Sequence, residues 1–139
     1  MPGILIIAHA PLASALRDCV SHVYATCPSR LEALDVPPDA SPEAFLPQAA
    51  AAMARVADAG GVLVLVDAAG ATPCNLAQRL AHEGGHPPLV RVVAGVNLPM
   101  LLRVVCYRDE RVDALAARAV EGGHRGIDEP DAPQDLPRC

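Results

Sequence analysis

The sequence predicts an α/β fold: a doubly wound, mainly parallel sheet in the strand order 2-1-3-4, with helices on both faces. Three observations carry that expectation. Strand-like and helix-like segments alternate along the 139 residues, the pattern of successive β-α-β crossovers. Two aliphatic runs, Gly3-Ile4-Leu5-Ile6-Ile7-Ala8 and Val62-Leu63-Val64-Leu65-Val66, lack the polar alternation of a half-exposed strand and so belong in a sheet covered on both faces. Each run ends at a residue able to do chemistry, His9 or Asp67. In such sheets ligands bind at the carboxyl ends of the strands, where the strand order reverses.

Taken in order, residues 3–8 form the first strand. Residues 12–24 follow as a helix, because Leu12, Leu16, Cys19, Val20 and Val23 recur at helical spacing. In residues 31–36, Leu31, Ala33 and Leu34 alternate with Glu32 and Asp35, as suits an edge strand. Ser41-Pro42-Glu43 opens the second helix, with a capping Ser, a Pro at the first position and an acid facing the positive end of the dipole. That helix is expected to reach about residue 58, and Gly60-Gly61 ends it. Residues 62–66 are the central third strand.

Thr72-Pro73 opens and caps a third helix that lasts to about Glu83, and residues 89–94 make the fourth strand. Asn97-Leu98-Pro99 opens a short helix through Cys106. A last helix over 109–121 is expected to close at Gly122-Gly123. His124 to Ile127 is the candidate for a fifth short strand. Residues 1–127 would then be one domain, and the Pro- and Asp-rich segment 128–139 a disordered tail with little to bury.

Composition narrows the function. One Phe, two Tyr and no Trp imply an aliphatic core and too few rings for base stacking to be expected. The formal charge is -5, and all 11 basic residues are Arg, scattered along the chain rather than clustered, so no nucleic-acid partner is expected. No apolar stretch approaches the ~18 residues of a membrane span, and no basic leader precedes the first strand. A cytoplasmic protein without membrane insertion is the expectation. The five cysteines form neither a C-x-x-C pair nor an even framework, which points to reduced thiols, with Cys74 serving packing.

With order 2-1-3-4, the reversal lies between strands one and three, so His9 and Asp67 face each other across the crevice. A neutral imidazole attacks a phosphoryl group through the nitrogen with a free lone pair, and the other nitrogen must carry the proton. A carboxylate accepting that proton's hydrogen bond fixes the tautomer and stabilises the developing cation. The transferred group carries close to two negative charges and needs donors. The helix start at Gly70, Ala71 and Thr72 offers backbone N–H groups and a hydroxyl, and the Asn97 helix start is a further candidate. Such a scheme requires no metal and no cofactor. Singly these residues are ordinary: Thr72 and Asn97 suit helix caps and Asp67 a loop cap. Their combination at corresponding strand ends is what points to phosphotransfer.

His82-Glu83-Gly84-Gly85-His86 fits the H-E-x-x-H pattern of zinc proteases, which needs both histidines on one face of a continuous helix. Gly84-Gly85 and Pro87-Pro88 break that helix, so no zinc site is expected. His22 and His124 read as surface residues.

Three segments together resemble a known family: Gly3-Ile4-Leu5-Ile6-Ile7-Ala8-His9, Val66-Asp67-Ala68-Ala69-Gly70-Ala71-Thr72-Pro73-Cys74-Asn75, and Gly95-Val96-Asn97-Leu98-Pro99-Met100. They are similar to the mannose-class IIA component of the bacterial sugar phosphotransferase system, over Met1 to about Ile127. The resemblance implies that His9 accepts a phosphoryl group from the phosphohistidine of the carrier HPr and passes it to a IIB component, or holds it as a signal. It implies that Asp67 is the orienting acid and Thr72 the phosphoryl-binding Ser or Thr. It also implies a homodimer in which a C-terminal strand, here near residues 124–127, joins the partner's sheet. Two departures stand out. Ala10 follows the histidine where the family usually has Gly, and Ala68-Ala69-Gly70-Ala71 replaces a bulky residue before Gly-Gly. A positive φ at the second of those glycines would put Ala71 under strain.

Other classes fit less well. A receiver domain phosphorylated on Asp67 also needs an acidic pair after strand one to hold Mg²⁺, and by family expectation a lysine. This chain has His9 there and no Lys. A tetrapyrrole metal chelatase also begins with an aliphatic strand ending in His, but gives no reason for Asp67 or the Thr72-Pro73 helix start. A plain ligand-binding module is the remaining alternative.

Overall fold

The structure, a computed structural model, describes residues 1–25, 27–83 and 89–136. Four strands, β1 (Gly3–His9), β2 (Leu31–Val36), β3 (Val62–Val66) and β4 (Val90–Ala94), form one sheet in the order β2-β1-β3-β4. Every pairing is parallel. The helices are α1 (Leu12–Val23), α2 (Pro42–Val56), α3 (Thr72–Glu83), α4 (Leu98–Cys106) and α5 (Val112–Arg125). The expected fold class and strand order are those observed, and the alternating strand β2 lies at an edge.

The side-chain period of a strand divides the aliphatic runs between two cores. Ile4, Ile6, Ala8, Leu63 and Leu65 pack on one face with Leu16 and Val20 of α1, Leu101 and Val104 of α4 and Leu115 of α5. Leu5, Ile7, Val62, Val64 and Val66 pack on the other with Phe45, Ala49, Ala52 and Val56 of α2 and Leu76 and Ala77 of α3. Every side chain from Ile4 to Ala8 and from Val62 to Val66 is fully buried, which is why the runs carry no polar residue until their ends. Truncating one of them, as in Leu65→Ala, should cost ~2–5 kcal/mol. With so few aromatics, the helices come close through small residues. At Gly3 an added Cβ would lie 2.2 Å from the Val56 carbonyl oxygen of α2.

The end of the chain corrects the expectation. Gly122-Gly123 does not close the last helix, which starts at Val112 and continues to Arg125. His124 and Arg125 are therefore helical, Gly126 and Ile127 form no strand, and no fifth strand exists among the described residues. The reason is packing. A Cβ on Gly122 would meet Arg103 Cβ at 2.6 Å, one on Gly123 would meet Met100 Cε at 2.9 Å, and one on Gly126 would meet Pro99 Cβ at 2.2 Å. The glycines let α5 press against α4, which offsets the ~1 kcal/mol that a helix-interior Gly costs relative to Ala. Residues 127–136 are exposed and hold no helix or strand.

Cys19, Cys27 and Cys74 are free thiols, with Cys74 buried in the α2–α3 core. Cys106 is disulfide-bonded, which departs from the expectation of reduced thiols throughout. Among the described residues no helix is long and apolar enough to cross a membrane.

Candidate functional site

The carboxyl ends of β1 and β3 lie side by side, since Ile7 pairs with Val66 at the top of the register. That register brings His9, two residues past Ile7, together with Asp67, which directly follows Val66. Asp67 Oδ2 lies 2.6 Å from His9 Nδ1 and accepts the His9 backbone N–H at 2.9 Å. Asp67 Oδ1 accepts the Ala68 N–H at 2.9 Å. Burial alone would push the Asp67 carboxyl up. The hydrogen bonds from the His9 backbone, the His9 ring and the Ala68 backbone outweigh it and hold the group below the usual carboxylate value. A carboxylate at that distance accepts the proton on Nδ1, which leaves Nε2 as the ring nitrogen with the free lone pair. The imidazole is 50% exposed and the carboxylate only 13%, so the ring is reachable from outside while its partner is shielded.

The loop after Asp67 leads into α3. Gly70 has φ +82°, and nothing lies within 4 Å of where its Cβ would be, so glycine is required there by the backbone rather than by space. Ala71 is not among the residues of positive φ, and the strain that its identity raised does not arise. The Ala71 carbonyl accepts the Asn75 N–H at 3.0 Å, so Ala71 occupies the cap position. Thr72 is the first helical residue, not the cap. Pro73 contributes no N–H. The Thr72 and Cys74 N–H groups precede the first intrahelical donor, and among the described residues no other group hydrogen-bonds to them or to the Thr72 hydroxyl.

Asn97 is placed differently. The Gly95 N–H donates to the Asp67 carbonyl at 3.1 Å and the Val96 N–H to the Val66 carbonyl at 2.9 Å, which fastens the turn before α4 onto the end of β3. The Asn97 side chain then caps α4: Oδ1 accepts the Met100 N–H at 2.8 Å, and Nδ2 donates to the Gly123 carbonyl of α5 at 3.2 Å. Both polar groups of its amide are engaged within the fold.

Two residues at this end, Asp35 and Ser14, are linked in a way the sequence does not directly signal. Asp35, near the end of β2, accepts the Ser14 N–H on Oδ1 at 3.0 Å and the Ser14 hydroxyl on Oδ2 at 2.5 Å. The available signal was Pro11, which leaves α1 without a side-chain cap of its own.

His82 and Glu83 end α3, while Gly84, Gly85 and His86 lie outside the described residues. Among the described residues no group of three or more His, Cys, Asp or Glu could hold a metal ion. A cavity of about 360 Å³, lined in part by Met1, Pro2 and Leu89, opens at the amino ends of the strands, away from His9.

Residues 3–120 match the family model EIIA-man, described as the phosphotransferase system (PTS) fructose IIA component. The mannose-specific EIIAB component of the PTS in Escherichia coli K12 is 36% identical over 96 residues, 68% of this chain, and the same component of Shigella flexneri matches equally. Those matches cover only 29% of the length of the curated relatives. Among solved structures, the mannose/sorbose-specific IIA subunit of Enterococcus faecalis aligns with a TM-score of 0.81 at 24% identity, over 97% of this chain and 98% of that one. The EIIA component of Streptococcus agalactiae aligns with a TM-score of 0.79 at 27% identity, over 93% and 97%. With the family model spanning most of its length, the chain belongs to the EIIA-man family of PTS IIA components.

Proposed function

We propose that the protein is a phosphoryl carrier in which His9 Nε2 takes a phosphoryl group from the phosphohistidine of HPr. It then gives the group to a IIB component in sugar uptake or holds it as a regulatory signal. The observation that carries this reading is the 2.6 Å contact between His9 Nδ1 and Asp67 Oδ2. In the transfer, Nε2 forms the new N–P bond as the bond to the donor's imidazole breaks. The cation developing on His9 is stabilised by the Asp67 carboxylate through the Nδ1 proton. The phosphoryl oxygens are received by the Thr72 hydroxyl and by the N–H groups of Thr72 and Cys74, with Gly70 and Ala71 shaping the turn that presents them. Asn97 supports this end by tying α4 to α5 rather than by binding the group. No step calls for a metal or cofactor.

We further infer that residues 1–127 form the functional domain, followed by a tail, and that the protein works in the cytoplasm as a homodimer. In support of the dimer, β4 is a sheet edge without a partner strand among the described residues, and such edges are normally covered.

The reading is tested by intact-mass measurement after incubation with phospho-HPr in EDTA. The wild-type chain should gain one phosphoryl group and His9→Ala none; normal labelling of the variant would overturn the assignment. The label should also survive alkali and be lost in acid, as a phosphoramidate is. An acyl phosphate on Asp67 would behave oppositely and would need Mg²⁺. The receiver reading has the geometry against it, because both Asp67 oxygens already accept hydrogen bonds.

A further inference from the structure

Helix α1 begins three residues after His9 and has no cap of its own. Its cap position is Pro11, which offers no side-chain acceptor, and its first turn carries no acidic residue. The missing acceptor comes from the neighbouring strand. Asp35 binds Ser14 through both carboxylate oxygens, one on the backbone N–H and one on the hydroxyl. The same hydroxyl lies 3.2 Å from the Pro11 carbonyl oxygen, so Asp35, Ser14 and Pro11 form one connected group. Beside it, the Ala10 N–H donates to the Val36 carbonyl at 3.0 Å. The segment from His9 to Ser14 is thus held at its first residue by the carboxylate of Asp67, just past β3, and at its last by that of Asp35 in β2.

We propose that Asp35 is a positioning residue for His9, acting as a cap in trans for α1. It fixes the far end of the loop whose near end Asp67 fixes, so that the imidazole is presented at one angle. It also fills the α1 helix start with negative charge. The aligned peptide dipoles make that start attractive to an anion, and with a carboxylate already there a phosphoryl group is directed to the start of α3. This consequence rests on the phosphocarrier reading, whereas the positioning itself does not.

The test compares wild type with Asp35→Ala, Asp35→Asn and a control, Val20→Ala, which removes fully buried apolar volume from α1 without touching the loop. Transfer from phospho-HPr is resolved into kcat and KM. Misplacing a reacting group by a fraction of an ångström lowers the rate of the chemical step, so Asp35→Ala should reduce kcat about tenfold with KM changed less than about twofold. Asp35→Asn keeps an oxygen for the Ser14 N–H and should recover kcat to within about threefold of wild type. Val20→Ala should lower the melting temperature while leaving kcat within about twofold. If Asp35→Ala does not fold, Ser14→Ala takes its place, with an expected loss in kcat of about threefold. A kcat for the Asp35 or Ser14 variant no lower than that of Val20→Ala overturns the proposal.

A second arm needs no phosphoryl donor: the exchange of the His9 Nδ1 proton with water, read by NMR. Loss of the trans cap should speed that exchange about tenfold, because the Nδ1–Asp67 hydrogen bond opens more often once the loop is loosened. Equal exchange in wild type and the variant overturns the proposal. A wild-type chain that HPr fails to phosphorylate would instead overturn the carrier function and leave this arm to decide on Asp35.

Discussion

Helices α3 and α4 start at the same end of the sheet, each with Pro as its second residue, yet one start is closed and the other open. At α4, Asn97 supplies its own acceptor to the Met100 N–H and reaches across to Gly123. At α3 the corresponding position is Ala71, which has no side-chain acceptor, and the Thr72 and Cys74 N–H groups are unpaired among the described residues. An Ala cap in place of Asn or Ser costs a helix ~0.5–2 kcal/mol. The difference teaches where to look for a ligand: the fold completes the helix end that serves as scaffold and forgoes that stability at the end beside His9. The third start, at α1, is closed by Asp35, so of the three only α3 can accept an anion without displacing a group of its own.

Asp67 stands between the two regions. Its carbonyl is held from the α4 side by the Gly95 N–H, and its carboxylate faces His9. Asp67→Asn should therefore leave the backbone anchorage in place while losing ~10²–10⁴-fold in the rate of phosphoryl transfer, because an amide cannot balance the imidazolium. A wild-type rate would make Asp67 structural, like Asn97. The same carboxyl gives a stability signature. Its folded value lies below the ordinary one, so its contribution is fully present above the ordinary carboxylate range and is lost as pH falls through the folded value. Melting curves of wild type and Asp67→Asn should converge on acidification. A gap that persists below that range would trace the stabilisation to something other than charge.

Removing one side-chain group from each start sharpens the contrast. Thr72→Val deletes the hydroxyl at the open start and should slow transfer by ~10–10²-fold, in line with the loss of a donor to developing negative charge, with little change in melting temperature. Asn97→Ala should do the reverse. It loses a helix cap worth ~1 kcal/mol together with the tie to α5, and transfer should fall less than in Thr72→Val. If the Asn97 variant proves the slower while Thr72→Val is merely destabilised, the assignment of site and scaffold is inverted.

How much of this was legible in the sequence depends on how local each signal is. The central strands and the meeting of His9 with Asp67 could be read because an unbroken aliphatic run has one place in such a sheet and its first polar residue marks the strand's end. The position of Thr72 was off by one, since Thr-Pro suits both cap-then-first and first-then-second positions. The positive φ at Gly70 belongs to the turn that settles which. Gly122-Gly123 is ambiguous in sequence because a missing Cβ serves equally a helix stop and a close helix contact, and only the packing of Arg103 and Met100 of α4, which an added Cβ would meet at under 3 Å, distinguishes them. Asp35 was invisible as a cap because its partner, Ser14, lies on a different element 21 residues away.

The smallest expected effect is also the most direct probe of the open start. Ala71→Ser would give α3 a cap of its own, since Ala71 already holds the cap position through its carbonyl bond with the Asn75 N–H. A serine there accepts from the third helical N–H, which is that of Cys74 because Pro73 has none. The variant should gain ~0.5–1 kcal/mol in stability, within the usual worth of a helix N-cap. If the Cys74 N–H is one of the donors to the transferred phosphoryl group, the new hydroxyl competes for it, and transfer should slow by roughly threefold, the effect of weakening one neutral hydrogen bond without losing it. Thermal denaturation and the transfer rate, measured on the same preparation, read the two consequences together. A variant that is more stable and transfers at the wild-type rate would show that Cys74 takes no part, leaving Thr72 as the donor at that end. One that is slower without being more stable would show that the new hydroxyl disturbs the phosphoryl site without capping the helix.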